Sequence, residues 1–304
     1  MTSSSDLLIC TACGTQFPTS DRASLTTCFI CDDPRQYTPG AGQSFTTLAA
    51  IRASHANEFH PVPDDSRLVS ITTTPKLAIG QRAILIRTPA GNILWDCLTL
   101  LDDATVAEIK RLGGLHGIVI SHPHYYSTHV DWAEEFGCPV YLSVEDRKWT
   151  ARSSERQVFL DRVETSIQVE GVDTGIKAIK LGGHFPGSLV LLYDNHLLVA
   201  DTLMITPAGL ANWDVNALGE PRARPPGVNT FAFMFSIPNM IPLSPDEIIS
   251  MWEVLKDYEF DRAHGAFVGQ EVRGSGVKAR VLESMQIQIR HMGWQKHPFL
   301  HTLW

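Results

Sequence analysis

Long apolar runs are missing from this sequence: none approaches the roughly 20 residues that a membrane-spanning helix needs, so no membrane partner is expected. Basic clusters are missing as well. The chain carries 25 Lys and Arg against 33 Asp and Glu, a formal charge of -8, and has no patch suited to phosphate backbones; no nucleic-acid partner is expected. The opening Met1-Thr2-Ser3-Ser4-Ser5-Asp6 lacks the basic and apolar regions of a secretory leader, which makes a cytoplasmic protein the expectation. Cysteine is scarce, at six residues, and two of them, Cys97 and Cys138, stand alone among apolar neighbours as small hydrophobes. What remains is ordinary for a globular protein: 304 residues with 44% hydrophobic content can bury one large core or two smaller ones.

The other four cysteines form two CxxC pairs, Cys10-Thr11-Ala12-Cys13 and Cys28-Phe29-Ile30-Cys31, with 14 residues between them. Two such knuckles can present four thiolates to one zinc, and a fully thiolate-bound ion is structural rather than catalytic. Rubredoxin-like iron is the rival metal, and two disulfides suit a secreted protein better than this one. A zinc-ribbon-like segment is expected over 1–42, ending in Thr38-Pro39-Gly40-Ala41-Gly42, with the main domain over 43–304.

From Leu68 onward short β-branched runs alternate with helical spacing. Strands are expected at Leu68–Thr72, Arg82–Arg87, Ile93–Cys97, Gly117–Ile120 and Val140–Ser143. Later strands are expected near Ile167–Val169, Ile176–Lys180, Ser188–Tyr193, Leu197–Ala200 and Phe260–Ala263. Helices are expected at Asp102–Leu112, Val130–Phe136, Pro245–Tyr258 and Val277–Met292. A long irregular segment from about Met204 to Leu243 carries the apolar run Phe231–Phe235.

Chemistry concentrates at strand ends. Ser121-His122-Pro123-His124-Tyr125-Tyr126-Ser127-Thr128-His129 places two histidines at i, i+2, able to reach one ion if they share a strand face. Gly182-Gly183-His184-Phe185-Pro186-Gly187-Ser188, Asp201 after Leu198-Val199-Ala200, and His264 in Ala263-His264-Gly265 add further donors. Seven other histidines, His196 among them, lack any motif context and receive no role.

These fragments, in this order over Leu68 to Gly265, resemble the metallo-β-lactamase fold superfamily. The resemblance implies an α/β fold, a four-layer αββα sandwich. It implies His122, His124 and His184 as ligands of one metal, Asp201 as the residue bridging to a second, and His264 as a ligand of that second ion. The superfamily's first motif usually reads His-x-His-x-Asp-His; here Tyr126 and Ser127 stand where it has Asp and His. The second site then keeps too few ligands, and a mononuclear centre is expected. His129, a turn further on, is a lesser ligand candidate, and Asp96 is expected to orient a histidine ring.

A metal held by imidazoles lowers the pKa of its water from about 15.7 toward 7, supplying hydroxide at neutral pH. Asp201 is expected to accept a proton, and Tyr125 or, in first place, Tyr126 to donate to a developing oxyanion. The expected activity is hydrolysis of a small-molecule carbonyl substrate: a lactone, lactam, ester or thioester. Phe231–Phe235 and Trp213 are candidate pocket walls. Two rival functions are a catalytically inactive binding or scaffold protein and a redox protein with iron in the CxxC site.

Overall fold

The computed structural model describes residues 3–63, 65–274 and 276–304. Two twisted sheets face each other. The first has seven strands in the order Ala56–Val62, Asp65–Thr74, Ala83–Ile86, Ile93–Trp95, Gly117–Val119, Val140–Ser143, Gln157–Leu160. Its first four strands pair antiparallel; the last three join in parallel, each entered through a crossover. The second sheet has six strands: Glu164–Val169, Val172–Lys180, Leu189–Tyr193, His196–Leu198, Arg262–His264 and Glu271–Arg273. There the parallel join is His196–Leu198 with Arg262–His264, so both of these strands end on the same edge.

Three buried clusters define the layers. Leu68, Ile84, Ile86, Trp95 and Val119 of the first sheet meet Ile167, Ile176, Ala178, Leu191 and Leu198 of the second. On the outer face of the first sheet, Ile109 and Trp132 of helices Asp103–Arg111 and His129–Phe136 pack on Ile71, Leu85, Leu94 and Ile118. On the outer face of the second, helices Pro245–Leu255 and Val277–His291 bury Ile248, Met251, Val281 and Met285 against Ile179, Val190 and Leu197. The order is helix, sheet, sheet, helix: the αββα sandwich.

Local chemistry sets the helix ends. Asp102 caps its helix by accepting from Thr105 N, and Gly113 and Gly114 follow with φ of 112° and 83°. Ser244 and Glu247 form a reciprocal capping box, with Pro245 at the first position. Three strands of the two large sheets escaped the sequence reading, Ala56–Val62, Gln157–Leu160 and Glu271–Arg273, each at a sheet edge, and the segment expected to be irregular from about Met204 to Leu243 holds two small strand pairs, Met204–Ile205 with Phe231–Ala232 and Met234–Ser236 with Ile241–Pro242. Edge strands half exposed to water carry weak apolar alternation, as Ala56–Val62 illustrates, where only Val62 is buried.

The four-cysteine segment is not strung on a linker. Leu8–Cys10 pairs with Phe45–Thr47, and Ile9 packs with Leu48, Ile51 and Leu100 of the main body. Phe29 stacks on Trp149 at 6.3 Å between ring centroids, and Gln16 N donates to Ser127 O.

Candidate metal centres

In the knuckle segment all four cysteines are buried free thiols. Sγ of Cys10 and Cys31 are 3.7 Å apart, as are those of Cys13 and Cys28. That is far beyond a disulfide bond, near 2.05 Å. A tetrahedral ion with thiolate arms of about 2.3 Å requires edges of about 3.8 Å. The donor set therefore fits a single ion, and Cys10, Cys13, Cys28 and Cys31 could all hold it. Without a cation the crowding is unfavourable: hydrogen bonding to Cys10 and the neighbouring sulfurs push the Cys13 thiol well above its ordinary range.

At the sheet edge the structure brings His122, His124, His184 and Asp201 together, with one donor atom from each lying within 4.8 Å of the others. Asp201 Oδ2 is 3.4 Å from His122 Nε2, 3.8 Å from His124 Nδ1 and 3.7 Å from His184 Nε2. His124 Nδ1 and His184 Nε2 are 3.3 Å apart. A tetrahedron with arms of 2.0–2.1 Å has edges of about 3.3–3.4 Å, so these separations also fit one small divalent ion.

Neighbours fix how each ring is presented. His184 Nδ1 donates to Met234 O at 3.1 Å, which leaves the Nε2 lone pair facing the cluster. His122 Nδ1 meets Ser121 Oγ at 2.9 Å, and its buried Nε2 has no hydrogen-bond partner. The two histidines of the HxH run do not converge by strand alternation. His122 is extended (φ -167°) and precedes the turn Pro123–Tyr125, so one ring offers Nε2 and the other Nδ1. Gly183, at φ 84°, lets the backbone pass Thr202, whose Oγ1 a Cβ would meet at 2.6 Å.

Electrostatics favour ligation. Burial pushes His122 and His124 below their ordinary range and His184 down to about 4, so all three are neutral bases at pH 7. Burial alone would raise Asp201, yet His122 and the other two imidazoles hold its carboxyl well below the usual range. Three lone pairs and one carboxylate converge.

The remaining candidates fall elsewhere. Tyr125, not Tyr126, reaches the cluster: its hydroxyl donates to Asp201 Oδ1 at 2.9 Å. Tyr126 is buried in the helix–sheet core, with its ring 5.6 Å from that of His129. His129 spends both ring nitrogens on the protein, donating from Nδ1 to Tyr126 O at 2.8 Å and meeting Gln157 Nε2 at 2.7 Å. His264 Nε2 lies 2.8 Å from His196 Nδ1, and His196 Nε2 lies 3.1 Å from Asp65 Oδ2. His196, without any motif, is thus the partner of a motif histidine; its only sequence signal is its place in the strand that pairs with Arg262–His264. Asp96 holds no ring. It accepts from Ser121 N at 2.8 Å and anchors the loop that carries His122.

The apolar run divides too. Phe231 and Phe233 are fully buried in the core under the second pair of helices, whereas Phe235 lies over Arg35. Trp213 pairs with Arg222 and donates to Ala208 O. The run's contact with the clustered histidines is a backbone one, the Met234 carbonyl on His184, which no side-chain pattern could announce.

Comparison with known proteins agrees with this architecture. Residues 79–248, more than half the chain, match the family model of the metallo-beta-lactamase superfamily. The protein YmaE of Bacillus subtilis (strain 168), described as uncharacterized, is 36% identical over 266 residues, covering 85% of this chain and 88% of its own. Among solved structures, DIM-1 metallo-beta-lactamase aligns at TM-score 0.50 and 12% identity, covering 77% of this chain and 98% of its own. A metallo-beta-lactamase from Pontibacter korlensis aligns at TM-score 0.50 and 11% identity, covering 75% and 99%. At such identities the likeness is one of fold. The family model covers more than half of the sequence, and the chain belongs to the metallo-beta-lactamase superfamily.

Proposed function

We propose that the protein is a zinc-dependent hydrolase of a small carbonyl substrate, with a mononuclear catalytic centre at His122, His124, His184 and Asp201 and a structural zinc at the four cysteines. The observation that carries this reading is the convergence of four donor atoms within 4.8 Å of one another, with two of the three rings held by neighbouring groups. Membership of a superfamily composed mostly of metal-dependent hydrolases supports the reaction class.

A divalent ion held by His122, His124, His184 and Asp201 would supply a Lewis acid and an activated water. The chain's own groups do the rest. Asp201 Oδ1 accepts the Tyr125 hydroxyl proton, so the carboxylate is fixed while Oδ2 faces the centre. Burial and the Asp201 charge hold the Tyr125 phenol far above its ordinary range, so it remains a donor throughout the neutral range. Asp201 is thereby placed to take a proton from the attacking water. Phe185 packs against His122, His124 and His184, with centroids 5.0–5.8 Å apart, and keeps bulk water from the rings.

The mononuclear reading is favoured because the metallo-β-lactamase positions of Tyr126 and Ser127 supply no second-site ligand and the cluster holds no atom of His264, whose Nδ1 is left without a partner. His264 faces His196, Asp201 Oδ1 faces Tyr125, and Ser127 Oγ faces the Cys97 carbonyl. A buried guanidinium, Arg82, donates to Gly265 O beside His264, a poor neighbour for a second cation. Zinc-reconstituted protein is expected to hydrolyse at least one of a panel of lactones, lactams, esters and thioesters. His184→Ala is expected to lose that activity by at least about 100-fold. An inert panel, or full activity in the variant, overturns the proposal.

A further inference from the structure

Arg35 follows the second CxxC pair by four residues and lies beside the histidine centre rather than on the outer surface of the knuckle. The Pro34 carbonyl accepts from Ser236 Oγ at 2.6 Å and from Asn239 Nδ2 at 2.7 Å, which pins this loop to the segment carrying Met234. The guanidinium is then sandwiched: its Cζ is 4.5 Å from the ring centroids of both Phe185 and Phe235. Phe185 is the same ring that packs on all three candidate ligands.

The hydrogen-bonding of Arg35 is half complete. Nη1 donates to both oxygens of Asp33, at 2.9 and 3.0 Å. Nε is buried and has no partner. Buried guanidinium donors are costly to leave unmet. The unmet Nε–Nη2 edge presents two parallel N–H bonds, the fork that matches a carboxylate. Two further polar atoms nearby are buried and unpartnered: Trp149 Nε1, on a ring meeting Phe185 edge-on at 5.4 Å, and Asp146 Oδ2, packed under the Gly187 turn.

We propose that Arg35 is a specificity-determining residue: its unmet edge, with Phe185 and Phe235 as flanking walls, binds a carboxylate that the substrate carries a few bonds from its scissile carbonyl. The inference rests on the hydrolytic reading of the histidine centre. It gives the four-cysteine segment a part in recognition, because the metal-tied knuckle holds the loop that supplies Arg35.

Small thiols separate the two readings, because the thiol seeks the metal whether or not a carboxylate is present. Mercaptoacetate, 3-mercaptopropionate, 4-mercaptobutyrate and neutral 2-mercaptoethanol are titrated calorimetrically into the zinc-loaded full chain. At least one acid is expected to bind about tenfold more tightly than 2-mercaptoethanol. Arg35→Gln should reduce that preference to within about twofold while leaving 2-mercaptoethanol unchanged, and Arg35→Lys, which keeps the charge without the fork, should lose most of it. If Arg35→Gln fails to fold, as judged by circular dichroism and zinc content, Asp33→Asn decides. With its competing carboxylate gone, Arg35 should hold the acid severalfold more tightly, and no change overturns the proposal. Acids that bind no better than 2-mercaptoethanol, or a preference that survives Arg35→Gln, overturn the subsite and leave the metal centre standing. If no thiol binds, the metal centre falls and the subsite with it.

Discussion

Which of two adjacent tyrosines serves the centre depends on one turn. Tyr125 and Tyr126 are equivalent in the sequence, but the turn Pro123–Tyr125 sends the first hydroxyl to Asp201 and the second ring into the core. Tyr125→Phe is therefore expected to weaken metal binding by about 10–100-fold in competition with a chelator, since groups that orient ligands contribute on that scale. Tyr126→Phe should bind metal within about twofold of wild type, because its hydroxyl touches no donor. A second residue-scale test lies at Asp146, whose carboxyl burial raises to about 7. The unfolded chain holds fewer protons than the folded one between its unfolded value near 3.8 and about 7, so stability falls as pH rises through that window. Asp146→Asn removes the charge and retains an acceptor for Gly187 N. Its melting temperature should exceed wild type by a margin that grows from pH 4 to 7 and then levels, reaching about 2–4 °C. A constant margin across the range would count against a buried neutral carboxyl.

At the scale of elements, the sequence was most legible where strong local signals coincide with burial. Asp102 and Ser244 mark helix starts because their side chains satisfy backbone donors there, and Gly113-Gly114 and Gly137 mark stops. The HxH run announced two of the four clustered donors, although the geometry that joins them is a turn rather than a pleat. What stayed hidden depends on tertiary contact: the edge strand Ala56–Val62, the Met234 carbonyl and the pairing of His196 with His264. His129 belongs with these, since its place one turn after Tyr126 suggested a ligand while its nitrogens bind Tyr126 O and Gln157. Its pKa is lowered to about 4, chiefly by burial. The unfolded chain then binds more protons between about 6.5 and 4, so this group's stabilisation is whole above 6.5 and lost as pH falls through that window. The melting-temperature advantage of wild type over His129→Gln should therefore shrink on going from pH 7 to pH 5. An advantage independent of pH would show that the ring is charged in the folded state or accessible to water.

For the whole molecule, the two candidate metal sites belong to one body. The knuckle segment packs Phe29 on Trp149, Trp149 on Phe185, and Phe185 on the ligand histidines. Cys13→Ser should release one equivalent of metal and also depress hydrolysis, because the loop bearing Arg35 loses its anchor while His122, His124, His184 and Asp201 remain. Unchanged hydrolysis would make the segment an ornament to the sandwich. The fold order was readable from strand-end motifs, whereas this union was not, since a Pro/Gly-rich stretch between two segments looks like a linker until Leu8–Cys10 is seen to pair with Phe45–Thr47. The central claim, one ion among three imidazoles and Asp201, is tested most directly by metal analysis with zinc-edge absorption spectroscopy on full-length wild type, His184→Ala and Cys13→Ser. The account predicts two zincs per wild-type chain and one in each variant, with nitrogen and oxygen neighbours at about 2.0–2.1 Å in Cys13→Ser and sulfur at about 2.3 Å in His184→Ala. One zinc in wild type, bound by sulfur alone, or three zincs per chain, would contradict it.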